Sequence, residues 1–167
     1  MADLDRDPTH MHPDLQGLWN EFKARNSLVG NEVFLTSTWR DPATQAAEYA
    51  KGRDANGNVI DQSAVVTNAA PGSSPHECTM NDDGVTPGAR AFDFAIQLGD
   101  EGNMLDWDSD DEQWTHAIEI GTQMGLVNGK NFKNAQGEPL GDADHFELPA
   151  WRTYVAGTLQ ARPVPQS

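Results

Sequence analysis

The stretch Ala91-Phe92-Asp93-Phe94-Ala95-Ile96-Gln97 carries the clearest strand pattern in the chain. Phe92, Phe94 and Ile96 recur at every second position, and successive side chains of a strand point to opposite faces of a sheet. The phenylalanine face is therefore predicted to join the core. Asp93 is predicted to lie on the opposite face.

Helix patterns flank this strand on both sides. Apolar residues spaced i, i+3, i+4 and i+7 predict a first helix over residues 13–26. Asp41 and Pro42 are typical of the start of a second helix, which Gly52 would end. Residues 111–124 fit a third helix that ends at a glycine.

Further strands are predicted over residues 32–38, 64–67 and 145–148. A closing helix is predicted to begin at Pro149. Short strands mixed with three or four helices indicate an α+β domain.

The length of 167 residues is most simply accommodated by one domain. Residues 1–12 are assigned to a polar N-terminal arm, residues 13–160 to the folded domain and residues 161–167 to a C-terminal tail.

The composition narrows the classes of function. With 26 Asp and Glu against 11 Lys and Arg, the surface repels phosphate, which disfavours nucleic-acid binding and adhesion to anionic membranes. No apolar run approaches the ~20 residues of a membrane span, and the N-terminus lacks the pattern of a secretory signal. The single cysteine, Cys78, cannot form an intramolecular disulfide. We expect a monomeric protein made in the cytoplasm and not inserted in a membrane.

Two blocks of the sequence add histidines to the carboxylate of Asp93. One block is Ser74-Pro75-His76, and the other is Asp142-Ala143-Asp144-His145-Phe146-Glu147. A hydrolytic zinc site needs three protein ligands and an open position for water, and neutral imidazole and carboxylate suit it. His76, Asp93 and His145 would leave a net positive charge that polarises a carbonyl and lowers the pKa of water. The commonest helical metalloprotease pattern, HExxH, does not occur.

A base for this chemistry is available at Asp142, three residues before His145. On a tight turn that leads into a strand, its carboxylate would take a proton from water and pass it to the leaving amine. Asp144 is a competing candidate for the same role.

Three blocks in this order resemble the zinc peptidases that cleave peptidoglycan peptides containing D-amino acids. In chain order, the first block is Thr38-Trp39-Arg40-Asp41-Pro42 with Gln45, Tyr49 and Gly52-Arg53. The second block is Ser-x-His followed by Ala-x-Asp, and the third is Asp-x-x-His-Phe-Glu. This family contains D-alanyl-D-alanine carboxypeptidases and dipeptidases and the phage L-alanyl-D-glutamate endopeptidases. The resemblance covers about residues 30–150. It implies a small antiparallel sheet flanked by helices, with zinc in a central cleft.

The resemblance also implies a role for each residue. His76, Asp93 and His145 would bind zinc, and Asp142 would be the general acid and base. Arg40 would contact substrate or stabilise the oxyanion, because its charge is fixed. Supporting or substrate-contacting roles fall to Ser74 and Gln45.

The sequence departs from the family between His76 and Asp93, where residues 78–90 form an insertion. Cys78 in that insertion is an alternative metal ligand. Acidic stretches at residues 81–84 and 106–112 are candidates for an additional Ca²⁺, although neither has the EF-hand spacing.

Of the other histidines, His10 and His12 are expected to be solvent-exposed, and His116 is expected to lie at the surface or to be satisfied by a partner.

The function predicted from these features is zinc-dependent cleavage of the peptidoglycan stem peptide, by an endolysin of the L-alanyl-D-glutamate endopeptidase type. A D,D-carboxypeptidase or dipeptidase on the same scaffold is one alternative, and a non-catalytic wall-binding or virion module is another. By family analogy, a holin-type partner would release the protein to the cell wall.

Overall fold

The computed structural model describes residues 4–98, 104–134 and 136–166. It contains three α-helices and five strands among these residues, which confirms the predicted α+β class. The helices are α1 (Pro13–Leu28), α2 (Pro42–Ala50) and α3 (Glu112–Gln123). The strands are β1 (Glu32–Ser37), β2 (Ala91–Leu98), β3 (Met104–Asp106), β4 (Val127–Gly129) and β5 (Asp142–Glu147).

All strand pairs in the sheet are antiparallel, with β2 in the centre. Strand β1 pairs with one edge of β2, and β5 and β3 pair with the other edge. Strand β4 pairs with β5. Asp93 of β2 lies opposite His145 of β5. Because paired residues share a face of the sheet, this register places both side chains on the same side.

An aromatic cluster fills the other side of the sheet. Phe22 from α1 contacts the rings of Phe92, Phe94 and Phe146 at centroid separations of 5.2–5.7 Å. Trp114 from α3 packs against Phe94 at 5.0 Å with its ring tilted. These side chains are fully or almost fully buried. Helices α1 and α3 therefore cover one face of the sheet and leave the face of Asp93 free for a site.

The segment predicted to be an N-terminal arm packs against the domain. Met11 is fully buried and forms a parallel bridge with Ala89. The ring of His12 accepts a hydrogen bond from the Asp14 amide and so caps α1. In the C-terminal segment, the Arg162 amide donates to Glu21 Oε1 at 2.6 Å.

Two predicted elements are wrong. The strand expected over residues 64–67 is a 3₁₀ turn at Gln62–Ala64 followed by irregular chain, whose Thr67 carbonyl accepts from the Arg53 side chain. The closing helix is only a 3₁₀ turn at Trp151–Thr153. Ala150 precedes it in the left-handed region (φ 50°, ψ 45°), which interrupts any helix that would continue from Pro149.

Among the described residues, no helix combines the length and the apolar character that crossing a bilayer demands.

Gly121 lies where α3 approaches the sheet closely. A Cβ atom at this position would overlap the ring of Phe146, which the aromatic cluster holds on its other sides. Alanine has a helix propensity about 1 kcal/mol better than glycine, but overpacking a core costs about 1–3 kcal/mol. We expect Gly121→Ala to lower the free energy of unfolding in urea. The control is Thr122→Ala, an exposed change at the next position, which should leave the free energy of unfolding equal or raise it. A Gly121→Ala variant as stable as the control would contradict this packing.

Tyr154 ties the C-terminal segment to α1. Its hydroxyl donates to Asp14 Oδ2 at 2.7 Å and accepts from the Leu159 amide at 3.0 Å. Burial and the hydrogen bond to Asp14 raise the pKa of Tyr154 to about 12.

Because the folded pKa is raised above 10.0, the stability that the protonated hydroxyl contributes is fully present below about pH 10 and is lost as the pH rises towards about 12. Wild type should therefore exceed Tyr154→Phe in free energy of unfolding at neutral pH, and the difference should shrink across that window. Denaturant unfolding of both proteins at several pH values measures it; a constant difference would show that Tyr154 does not titrate in this way.

Candidate metal centre

Three donor atoms converge on the open face of the sheet. His76 Nε2 lies 3.2 Å from Asp93 Oδ1, His145 Nδ1 lies 3.1 Å from the same oxygen, and the two ring nitrogens are 3.3 Å apart. All three residues are largely or fully buried. The three predicted ligands thus lie together and could hold a metal ion, and within the described ranges no other set of three His, Cys, Asp or Glu side chains converges in this way.

The outer nitrogen of each imidazole is bound to an oxygen. His76 Nδ1 lies 2.6 Å from the Thr38 carbonyl, and His145 Nε2 lies 3.0 Å from Glu147 Oε2. Carbonyl and carboxylate oxygens only accept, so each outer nitrogen carries the proton. When the rings are neutral, both inner nitrogens therefore direct a lone pair at the common centre, as in metal sites whose histidines are oriented by hydrogen-bond partners.

The local sequence explains how His76 reaches this position. Ser74 caps a 3₁₀ turn over Pro75–Glu77, with its hydroxyl accepting from the His76 amide and Glu77 bonding back to the Ser74 amide. Backbone bonds from Arg40 N to His76 O and from Arg90 N to Pro75 O fix the turn to the domain. Ser74 thus orients the His76 segment.

Arg40 contacts Asp93 directly. Its Nη2 donates to Asp93 Oδ2 at 2.8 Å, and its other nitrogens reach Ser37 Oγ and Gln45 Oε1 at 3.3 and 3.4 Å. Gln45 is fully buried and donates to the Ala69 carbonyl at 2.7 Å. The Arg40 guanidinium therefore occupies one oxygen of Asp93 and leaves the other directed at the imidazoles.

The pKa values of the three residues follow from this arrangement. Burial lowers the pKa of His76, which keeps the ring neutral. Burial alone would raise the pKa of Asp93, but His76, His145 and Arg40 hold it well below its usual range. For His145, burial lowers the pKa, but its hydrogen bonds to Asp93 and Glu147 outweigh that effect and raise it to about 10. A proton on His145 Nδ1 would thus occupy the place in which a cation would bind.

Asp142 and Asp144 are half-buried and line the same cleft. Asp142 is predicted to lie on a turn before the final strand, but it is the first residue of β5. Burial raises the pKa of both carboxyls, and the negative charge of Asp93 raises both further. The two groups also interact with each other, so they behave as a pair that retains a proton more readily than an isolated aspartate.

The start of β5 is irregular, and a side chain compensates for it. The pairing of β4 with β5 shifts register after Asn128. There, Asn128 Nδ2 donates to the carbonyls of Ala143 and His145 at 2.8 and 3.0 Å. Asn128 thereby holds the segment that carries both carboxyls and His145.

The alternative ligand and cation candidates do not join the centre. Cys78 lies outside the converging group, and burial raises the pKa of its thiol, which disfavours the thiolate that binds metals. In the 81–84 stretch, Asp82 accepts from Arg90, and Asp83 accepts from the amides of Val85 and Thr86.

The remaining histidines lie outside the converging group, and His10 and His12, which are expected to be solvent-exposed, are partly buried. His10 bonds to Asp5 and His12 caps α1, and His116 lies on α3 within 3.7 Å of Glu112.

A cleft of about 1420 Å³ opens over the three ligands. Leu105 and Trp107 line it beyond the start of β5, and Trp151 and Arg152 line it beyond the end of β5. The cleft therefore extends past the candidate metal centre in both directions along the strand.

Sequence reasoning did not identify Glu147, Thr38 or Asn128 as parts of the site. Glu147 was detectable, because residues two apart on a strand share a face and Glu147 follows His145 by two. The Thr38 contribution is a backbone carbonyl brought near by tertiary packing, so no side-chain pattern reveals it.

No family model matches this chain, and no curated protein matches it.

Metal affinity should depend on Glu147. Replacing Glu147 by Gln removes the charge that orients and polarises His145, and loss of such a partner typically costs about 10–100-fold in metal affinity. We expect a loss of about tenfold for Zn²⁺, measured by competition with a chromophoric chelator. Glu119→Gln, an exposed change on α3, is the matched control. Equal zinc affinity in Glu147→Gln and wild type would contradict this role.

Proposed function

We propose that the protein is a zinc-dependent peptidase that cleaves the stem peptide of peptidoglycan, as an L-alanyl-D-glutamate endopeptidase. The observation that carries the proposal is the convergence of two imidazole nitrogens and one carboxylate oxygen at separations of 3.1–3.3 Å. The family resemblance of the three sequence blocks supplies the substrate class.

The ligand distances suit zinc. Bonds of about 2.0–2.1 Å in a tetrahedron place neighbouring ligand atoms about 3.3 Å apart, close to the spacing of these donors. Two histidines and one aspartate also leave a fourth position open, which is typical of catalytic and not of structural zinc sites. When bound, zinc would polarise the scissile carbonyl and lower the pKa of water.

The protein's own residues would handle the protons. Asp142 would accept a proton from the attacking water through a carboxylate oxygen and deliver it to the amide nitrogen as the C–N bond breaks, giving a free carboxylate and a free amine. Burial of the pair suits this role because a raised pKa favours proton transfer near neutral pH. Burial and the charges of Asp93 and Asp142 raise the pKa of Asp144 to about 8, so Asp144 would hold the proton that the pair retains, and it is the competing base.

Arg40 would position Asp93 rather than hold substrate. Its three polar contacts are all made within the protein, and the residue is only 6% exposed. Its fixed charge keeps Asp93 ionised and aimed at the centre, which differs from the substrate contact that the resemblance implies.

The shape of the cleft favours an endopeptidase over a carboxypeptidase. A carboxypeptidase needs a pocket that closes just beyond the scissile bond, whereas this cleft continues past both ends of β5. Access to the wall from the cytoplasm would require a partner that opens the membrane.

Asp142→Asn should separate catalysis from metal binding. We expect this variant to fold and to retain zinc by elemental analysis, but to lose about 100-fold or more in kcat because no base accepts the proton. Mass spectrometry of purified muropeptides after digestion identifies the bond cut by the wild type. Glu119→Gln is again the control and should cleave like the wild type.

The outcomes distinguish the competing functions. Cleavage between L-alanine and D-glutamate supports the proposal, and release of terminal D-alanine indicates the carboxypeptidase. A zinc-loaded wild type that binds walls but cuts no peptide bond would indicate the non-catalytic module. Normal turnover by Asp142→Asn with loss in Asp144→Asn would move the base to Asp144.

A further inference from the structure

The turn after β5 presents an arginine to the cleft. Trp151–Thr153 form a 3₁₀ turn that begins after the left-handed Ala150. Both Trp151 and Arg152 line the cleft, four and five residues beyond Glu147. Arg152 is exposed, whereas Trp151 is partly buried against the core.

The guanidinium of Arg152 is held in place by its neighbours. Its Cζ atom lies 4.3 Å from the centre of the Trp151 ring, within the range of a cation–π contact. The Trp151 carbonyl accepts from Nη1 of Arg90 at 2.7 Å, and Arg90 is itself 6% exposed. The stack therefore rests on a platform that is anchored in the protein, which reduces the entropy lost when a ligand binds.

The charge of Arg152 is available. Arg25, Arg40, Lys51 and Arg90 each form a salt bridge with a carboxylate, but no such bridge joins Arg152 to any acidic residue in the described part of the chain. An unpaired guanidinium on a fixed platform is suited to bidentate recognition of a carboxylate.

We propose that Arg152 forms a binding subsite for a substrate carboxylate next to the scissile bond. This inference rests on the proposed peptidase function and specifies its substrate. In the stem peptide, D-glutamate is linked onward through its γ-carboxyl group, so its α-carboxylate stays free beside the bond to L-alanine. Arg152 recognises this group, and the protein prefers stem peptides whose D-glutamate is not amidated.

The test uses two matched peptides, N-acetyl-L-alanyl-γ-D-glutamyl-L-lysine with a free α-carboxylate and the same peptide with an α-amide. The zinc-loaded wild type should show a KM roughly tenfold lower for the free acid, as expected for one charge-assisted hydrogen-bonded contact. Arg152→Gln should raise KM for the acid to that of the amide and leave kcat unchanged, because the contact is equal in ground and transition states.

A second readout is binding without turnover. Calorimetric dissociation constants of both peptides with the Asp142→Asn variant should show the same preference, and the Asp142→Asn, Arg152→Gln double variant should lose it. Arg152→Lys should restore part of the preference, since it keeps the charge without the planar fork. Lys23→Gln, an exposed cation removed on α1, should retain all of it.

The two hypotheses fail in different ways. A wild type that cleaves both peptides with the same KM, or an Arg152→Gln variant that keeps the preference, overturns the subsite alone. A wild type that neither cleaves nor binds either peptide overturns the proposed function, and the subsite with it. Because the wild-type comparison of the two peptides needs no substitution, misfolding of Arg152→Gln would not prevent the decision.

Discussion

Two imidazole nitrogens and a carboxylate oxygen face one another at 3.1–3.3 Å in the middle of the open sheet face. Lone pairs at such separations repel unless a proton or a cation lies between them. The surrounding groups reinforce the arrangement: the Thr38 carbonyl and Glu147 hold the outer nitrogens, and Arg40 holds the second oxygen of Asp93. These contacts orient all three donor atoms as a bound cation would require.

The aromatic core on the opposite face gives this centre its rigidity. Asp93 lies between Phe92 and Phe94, and His145 precedes Phe146, so two of the ligands are anchored by neighbours that are fully buried. His76 is different because it lies on a short turn, which a capping box and two backbone hydrogen bonds fix to the domain. One of these two bonds comes from the 78–90 segment itself, because the Arg90 amide donates to the Pro75 carbonyl.

Charge is distributed unevenly around the cleft. Acidic side chains predominate over the whole chain, yet the cleft is also lined by the cations Arg6, Lys133 and Arg152. A ligand with carboxylates would be repelled by most of the surface and attracted at these points. Electrostatics of this kind contributes more to selecting and orienting a substrate than to overall affinity. The candidate metal centre of the proposed peptidase and the proposed Arg152 subsite both line this cleft.

The sequence alone was sufficient to predict the α+β class, the three helices, the central strand and the identity of the three converging residues. These features leave local signals, namely apolar periodicity, capping residues and ordered motifs. Tertiary structure alone decided that Arg40 turns inward to Asp93, that Thr38 supplies a carbonyl to His76, and that residues 64–67 do not form a strand. Such outcomes depend on which distant groups satisfy a buried charge or a backbone hydrogen bond, and no local pattern encodes a partner that lies far away in the chain.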